Sequence, residues 1–547
     1  MTEQPLIKLP DSAIVQVSHA QCVGPCDAQD RIDLSIHLRA ETDLAGREQV
    51  LRFLTRAGLN ITAVVADQQI IRAEACVQDI NVAFDTEVCN FTTKGQSFRA
   101  YVGDLSIPEA MGPLILGVFG IENIKLFRPH LRVAANDLTA QESPTSRGYT
   151  PPQVGALYNF PPQLTGAGQR IALIELGGGY DVHVIEDYFS NTLHTKTPFL
   201  QDHCVGAAVN CLAPGQAVAP DWAAINEVYL DIEVCASLAP EAQCHVYFCP
   251  GTPNGFISGL SQAISDDNDV ISISWGVMES AVSIGFISAM NKLLALAASK
   301  GISVCVSAGD NGASGYSQED FINSFENGLA NPEYPATSPS VLACGGTHIQ
   351  TTAGQAISRE IVWNDWSAGG GATGGGVSGS SANPVPTYQS RNGINLPSAN
   401  PNQSYSGRVI PDVAANADPS SGYIVQTQPH STTVVGGTSA VAPLWAALLA
   451  LINQHFGKRM GMIHPALYAH LGLTPAFNQV TQGNNINASG SPGYVAAPGF
   501  NACTGWGSPN AGQLIQNLTD WLAKQAEAQT AVAAPTLVAH SQSRQGS

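Results

Sequence analysis

The sequence predicts an α/β architecture: a parallel sheet with helices on both faces, preceded by a small α+β domain. Three observations predict it. From about residue 169, continuous apolar runs alternate with helical patterns, as expected for strands covered on both faces. The first 135 residues carry 12 of the chain's 24 Lys+Arg but only 16 of its 43 Asp+Glu, so a near-neutral unit precedes a strongly acidic one. Between them, residues 130–150 turn polar, as an exposed connection does.

The elements follow in order. Arg31–Arg39 alternates like a strand, Arg47–Gly58 reads as a helix ending at Gly58, and Ile71–Val77 and Ser97–Val102 read as strands. Pro108–Phe119 is expected to form a second helix, so that two helices cover an antiparallel sheet. Asp137 to Ser146 reads as an exposed linker. Beyond it, strands are expected at Arg170–Leu176, Cys244–Cys249, Val270–Trp275, Ile302–Ala308 and Ser340–Cys344. Helices are expected at Ile225–Leu238, Gly255–Ile264, Ile284–Ser299 and Ala442–Gln454. The Ala/Gln/Ser-rich tail, 525–547, reads as disordered. The domains are therefore 1–129, a linker at 130–149, 150–524, and the tail.

Composition excludes several classes. The 547 residues are 44% hydrophobic and only 12% charged, with 53 Gly and 34 Pro, which rules out a coiled coil or a charged disordered chain. A net charge of −19 opposes nucleic-acid binding. Few basic residues also mean modest self-repulsion once carboxylates neutralise at about pH 4. Cys22 with Cys26, and Cys204 with Cys211, are close enough to pair, whereas Cys235, Cys305 and Cys344 read as packed thiols. Residues 1–5 have neither a basic nor an apolar signal region, so no export signal is expected. The richest apolar stretch, Ala440–Ile452, falls short of the ~18 residues of a membrane helix.

Chemistry concentrates where strands end, the usual ligand edge of such sheets. Glu175 closes one strand, Trp275-Gly276 another, and Gly309-Asp310-Asn311-Gly312 a third. The sharper signal is Gly436-Gly437-Thr438-Ser439-Ala440-Val441-Ala442-Pro443. It leads Ser439 to a helix N-terminus, where unpaired N–H groups favour a developing oxyanion. No histidine stands in a setting that suits a Ser-His-Asp triad: His245 falls in a strand, and His464 and His470 lie beyond the serine's helix. GxSxG and HExxH are absent. Glu227 and Asp231 are four apart on one helix face among apolar neighbours, so desolvation and mutual repulsion should raise at least one pKa.

These segments together resemble the sedolisins, the serine-carboxyl peptidases, and their kumamolisin-like members. Glu227 to Val234, Ser272-Ile273-Ser274-Trp275-Gly276, Ser307-Ala308-Gly309-Asp310 and Gly437-Thr438-Ser439 match family segments in the family's order. Tyr149 to Val154 with Leu157-Tyr158 resembles the start of the mature enzyme. Ala83-Phe84 and Leu105–Gly120 resemble the propeptide. The resemblance implies a subtilisin-like catalytic fold behind a ferredoxin-like propeptide. It implies Ser439 as nucleophile, Glu227 as general base and Asp231 as the group that orients Glu227. A protonated Asp310 would serve as oxyanion donor, which a working pH below its pKa permits. Glu175 and Trp275 match positions behind the pair, and Glu333 matches an acidic residue of the pocket for the residue before the scissile bond (P1). A preference for Arg or Lys there follows.

The family binds calcium near its C-terminus through two Asp side chains. Here those positions are Gln479 and Asn501, so no metal or other cofactor is expected, and side-chain amides are expected to replace the ion. The expected molecule is a secreted, monomeric, acid-acting endopeptidase of proteins or peptides. Its own propeptide inhibits it, and it cleaves itself between about 130 and 149 in acid. Basic residues of the first domain are expected to pair with carboxylates of the second until those are protonated. The alternatives are a subtilisin-type Ser-His-Asp peptidase and a non-catalytic pseudoenzyme. Neither nucleic acid nor membrane is an expected partner.

Overall fold

The computed structural model describes residues 5–93, 96–134, 148–217, 219–315, 330–352, 356–368, 370–390, 407–486 and 492–533. The first domain is a split βαβ unit. Strand Arg31–Leu38, helix Leu44–Arg56, strands Asn60–Val65 and Ile70–Cys76, helix Val77–Phe84 and strand Ile115–Phe119 follow one another. The sheet runs in the order 60–65, 70–76, 31–38, 115–119, with every pairing antiparallel. Asp43 starts the first helix by accepting from the Gly46 N–H at 2.8 Å, a side-chain cap.

Alternation along the strands gives this sheet two jobs. Ile32, Leu34, Ile36 and Leu38 pack with Val50, Leu54, Ile80 and Phe84 in the domain's own core. Ile70 and Phe119 instead join a core cluster with Phe256 and Phe286 of the second domain. The expected helix over Pro108–Phe119 is not formed. A short turn at Glu109–Met111 precedes Pro113, and Ile115–Phe119 becomes the sheet's edge strand. Proline interrupts the helical hydrogen bonds, and the apolar run gains more by completing the sheet. The domain's second helix is Val77–Phe84.

The second domain holds an eight-stranded mixed sheet. Strands Phe199–Cys204, Gln243–Phe248, Arg170–Glu175, Val270–Ile273, Ser303–Ser307 and Leu342–Thr352 lie side by side in that order, all parallel. Val413–Asn416 adds a further parallel pairing and Ala356–Val362 an antiparallel one. The expected strands and helices of this region are present within about three residues of their expected bounds, except that the strand expected at Ser340–Cys344 is Leu342–Thr352 and runs eight residues further. The edge strands Phe199–Cys204 and Ala356–Val362 were not anticipated, because their half-exposed, polar sequences lack the continuous apolar signal.

Side-chain caps begin the helices Trp222–Leu238, Pro253–Ser265 and Ile284–Ser299 at Asp221, Thr252 and Ser283. The segment Thr438–Phe456 is long and apolar, but it is buried against the sheet as a core helix. Cys235, Cys305 and Cys344 are buried free thiols, as read. The C-terminal helix Ala511–Ala533 enters the segment expected to be disordered. The rest of that tail, 534–547, and linker residues 135–147 lie outside the described residues.

Candidate active site

The site forms at the carboxyl ends of the central strands. The helix Trp222–Leu238 is buried along most of its length, including Glu227 and Asp231. Burial pushes both carboxyls well above their ordinary range. Asp231 and Glu175 add repulsion at Glu227, and Glu175 adds repulsion at Asp231. Glu175 ends its strand, accepts from the Trp275 indole N–H at 3.1 Å, and is pushed by burial to about 8. Three buried carboxyls thus form one electrostatic unit that holds fewer charges than carboxylates. Ser274 steadies it: its hydroxyl contacts both oxygens of Asp231, at 2.8 and 2.9 Å.

Ser439 lies in the short turn Thr438–Ala440 that leads into the helix Val441–Phe456. Gly437 makes that entry possible. Its φ is +101°, and a Cβ there would meet the His130 carbonyl oxygen at 2.0 Å and Asp310 Oδ2 at 2.6 Å, so no side chain is tolerated. The Ser439 hydroxyl donates to the Ser274 carbonyl at 3.3 Å. Neither oxygen of Glu227 has a hydrogen-bond partner among the described residues, and the Ser439 hydroxyl favours its anion against the larger effect of burial.

Asp310 follows the strand Ser303–Ser307. Its Oδ1 accepts from the Thr438 N–H at 2.8 Å and the Thr438 hydroxyl at 2.9 Å. Its Oδ2 lies 3.6 Å from Arg132 Nε. Burial raises its pKa to about 6, against the opposing charges of Arg132 and His130.

The linker occupies the cleft. Arg128-Pro129 pairs antiparallel with Trp275-Gly276, and Arg132-Val133 with Val435-Gly436. Between these bridges the Ser439 N–H donates to the His130 carbonyl at 3.0 Å. An extended peptide added to a sheet edge is a recurrent recognition mode. The His130 ring enters a buried pocket, with Nδ1 2.7 Å from the Ser307 hydroxyl and Nε2 2.6 Å from Glu333 Oε2. Burial opposes charge on this imidazole, but Glu333 outweighs it and raises the pKa. A Cβ on Gly276 would meet the His130 ring at 2.5 Å, so Gly276 opens the pocket.

The structure therefore gathers Ser439, Glu227, Asp231, Asp310, Glu175, Trp275 and Glu333 around one point. The sequence reading gave no role to Ser274, His130 or Arg132, whose only signals were a matching segment and the edge of the linker. The expected charge complementarity is confined largely to that linker. Across the domain faces Asp67 of the first domain meets Lys300 of the second at 3.1 Å, the reverse polarity. Arg31 pairs within its own domain with Glu74. The histidines considered for a triad are engaged elsewhere: His245 with His203, and His464 with the Val341 carbonyl.

At the loop where the family pattern calls for calcium, Asn501 is buried and uses its whole amide. Its Nδ2 donates to the Val480 and Ala497 carbonyls, both at 3.3 Å. Its Oδ1 accepts from the Cys503 N–H, the Thr504 N–H and the Thr504 hydroxyl. Gln479 Oε1 accepts from the Gly499 N–H at 3.2 Å. Among the described residues no cluster of His, Cys, Asp or Glu suited to a metal occurs. A neutral donor group facing the carbonyls does not fit a hard divalent cation.

Comparison with known proteins gives the family. The "Pro-kumamolisin, activation domain" family profile matches residues 41–124, and that of the "Subtilase family" matches 227–507. The chain is 43% identical to kumamolisin of Bacillus sp. (strain MN-32), over 81% of this chain and 77% of that protein. It is 26% identical to sedolisin of Pseudomonas sp. (strain 101), over 85% of this chain and 78% of that protein. It is 31% identical to human tripeptidyl-peptidase 1, over 53% of this chain and 51% of that protein. The solved structure of Pseudomonas sedolisin, a serine-carboxyl proteinase, complexed with pseudo-iodotyrostatin superimposes with a TM-score of 0.58 at 26% identity. That match covers 69% of this chain and 99% of the other.

Proposed function

Because the chain belongs to the sedolisin family as a kumamolisin-like pro-enzyme, a serine-type peptidase made with its own activation domain, we propose that it is an acid-acting endopeptidase that frees itself by cutting the His130–Leu131 bond. The observation that carries this reading is the His130 carbonyl held on the Ser439 N–H at 3.0 Å, in the position of a substrate carbonyl.

In the proposed mechanism Ser439 Oγ attacks that carbonyl carbon while Glu227, in the form of the Glu227–Asp231 pair that carries a negative charge, takes the hydroxyl proton. Asp231, held by Ser274, orients Glu227 and shares the charge of the pair. The developing oxyanion is held by the Ser439 N–H and by Asp310, which must be protonated to donate. Glu227 returns the proton to the departing amine of Leu131. Water then resolves the acyl-enzyme by the same steps in reverse. At neutral pH the charged Asp310 is paired with Arg132. Acid protonates Asp310, weakens that pair and supplies the missing donor.

Glu333, beneath the His130 ring, supports a preference for a cationic P1 side chain. The Asn501 amide supports a C-terminal loop held together without calcium. We further propose that the protein acts outside the cell as a monomer, a reading in keeping with its sparse basic charge. The deciding experiment is incubation of the purified full-length protein at about pH 4, with mass spectrometry of the products. A fragment ending at His130 is expected. Equal processing by a Ser439→Ala chain would overturn the reading.

A further inference from the structure

His37 is buried where the first domain docks on the second, and neither ring nitrogen has a hydrogen-bond partner among the described residues. It lies on the strand Arg31–Leu38, facing away from the alternate residues Ile36 and Leu38 that fill the domain's own core. Its ring packs edge-on against Phe119, centroids 5.3 Å apart, and Phe119 in turn packs on Phe286 of the helix Ile284–Ser299. That helix also sends Lys292 across the interface. Its Nζ donates to the carbonyls of Leu38 at 2.8 Å and Gln69 at 3.4 Å, both just beyond the His37–Ile70 pair of the sheet.

The charged groups around this ring are all basic. Arg72, from the neighbouring strand Ile70–Cys76, reaches the Ser261 hydroxyl of the second domain at 3.4 Å. The strand Ile115–Phe119 and the helix Pro253–Ser265 bring no titratable side chain. Asp67 turns outward to Lys300. Burial, then Lys292, then Arg72 hold the His37 pKa well below its ordinary value, and no carboxylate offsets them.

We propose that His37 is an acid-sensing residue that loosens the activation domain: protonation places a third, uncompensated cation between the domains. The inference rests on the self-processing zymogen proposed above and deepens it by naming how the inhibitor is shed. The sign follows from linkage. An undocked His37 takes up its proton below about pH 6.5, whereas the docked ring resists. Over that window each unit fall in pH multiplies the opening equilibrium about tenfold for this one proton. At neutral pH the ring is uncharged in both states and the term vanishes. The clustering of His37, Lys292 and Arg72 makes opening and cleavage separable events. One depends on the sheet face and the other on Ser439.

The test uses the full-length chain carrying Ser439→Ala, so that opening is read with cleavage blocked. Amide hydrogen exchange of residues 31–38 and 284–299, corrected for its intrinsic pH dependence, gives the midpoint of opening on acidification. His37→Phe and His37→Gln, each in that background, are expected to open at lower pH, with a slope shallower by one proton. His37→Arg is expected to be open already at neutral pH. Phe and Gln variants with the parent's midpoint and slope would overturn the proposal. A second measurement avoids substitution at His37: an NMR titration of its ring in the docked chain. Normal titration near pH 6.5 with the domains still docked would also overturn it. A chain active at Ser439 that never yields a His130 terminus would instead sink the catalytic reading and leave the exchange result standing.

Discussion

The Ser439 N–H and the His130 carbonyl are hydrogen-bonded at 3.0 Å. The activation domain therefore blocks the site by presenting a peptide bond to it, flanked by strand pairings at 128–129 and 132–133. On the proposed reading, the obstruction and the first substrate are the same segment.

If that bond is cut within one molecule, processing at about pH 4 is first order. Its half-time should not change over a tenfold dilution. Ser439→Ala and Glu227→Gln should each abolish it, whereas His245→Ala and His464→Ala should leave cleavage intact. Time courses on denaturing gels check all four.

Asp310 must carry a proton to hold an oxyanion. Its pKa is about 6 with Arg132 and His130 beside it, and both of those lower it. Loss of the linker removes these two cations, which lowers the cost of a proton on Asp310, and a bound substrate restores the burial that raises it. The activity of the processed enzyme should then fall with increasing pH along a limb set above 6. Asp310→Ala should reduce kcat by roughly 10²–10³-fold, as loss of an oxyanion donor does. Asp310→Asn, which can donate at any pH, should remove the limb. The pH profile of kcat reads both.

Glu333 meets His130 at 2.6 Å inside the pocket. Glu333→Ala should reduce kcat/KM for peptides with Arg or Lys at P1 by roughly tenfold or more, the worth of a charge-assisted hydrogen bond. Peptides with Leu at P1 should change little. Parallel kinetics on the two series decide it; equal losses would count against the assignment.

The amide clasp of Asn501 predicts indifference to chelators. Excess EGTA should leave Tm unchanged. Asn501→Ala removes the hydrogen bonds to Val480, Ala497, Cys503 and Thr504 and should destabilise the fold by about 2 kcal/mol or more. Calorimetry with and without added calcium measures both.

Much of the catalytic domain could be read because its determinants are local. Parallel strands such as Val270–Ile273 are apolar on both faces, and helices such as Ile284–Ser299 carry their own caps. The cluster of Glu227, Asp231, Asp310 and Ser439 was legible through the resemblance of separated segments. What stayed hidden was set by tertiary context. Ile115–Phe119 becomes a strand because Arg31–Leu38 needs an edge partner. The resemblance placed Glu175 and Trp275 behind the pair, but the hydrogen bond between them is a tertiary contact. His130 and Arg132 looked like ordinary linker because nothing in their own composition says that they thread the cleft. Charge counts misdirected as well: at the domain faces Lys292 and Arg72 meet neutral acceptors and Lys300 meets Asp67, whereas Arg132 and His130 meet carboxylates in the cleft.

Only one of the two strand pairings around His130, that of Arg128-Pro129 with Trp275-Gly276, lies on the N-terminal side of the proposed cut. If the bond breaks there, that pairing and the docked domain behind it belong to the same piece. The severed piece is then a two-point ligand whose weak tail contact is reinforced by its body. Added back in trans at neutral pH, it should act as a slow, tenacious antagonist, and acidity would decide whether the peptidase escapes its own leaving group.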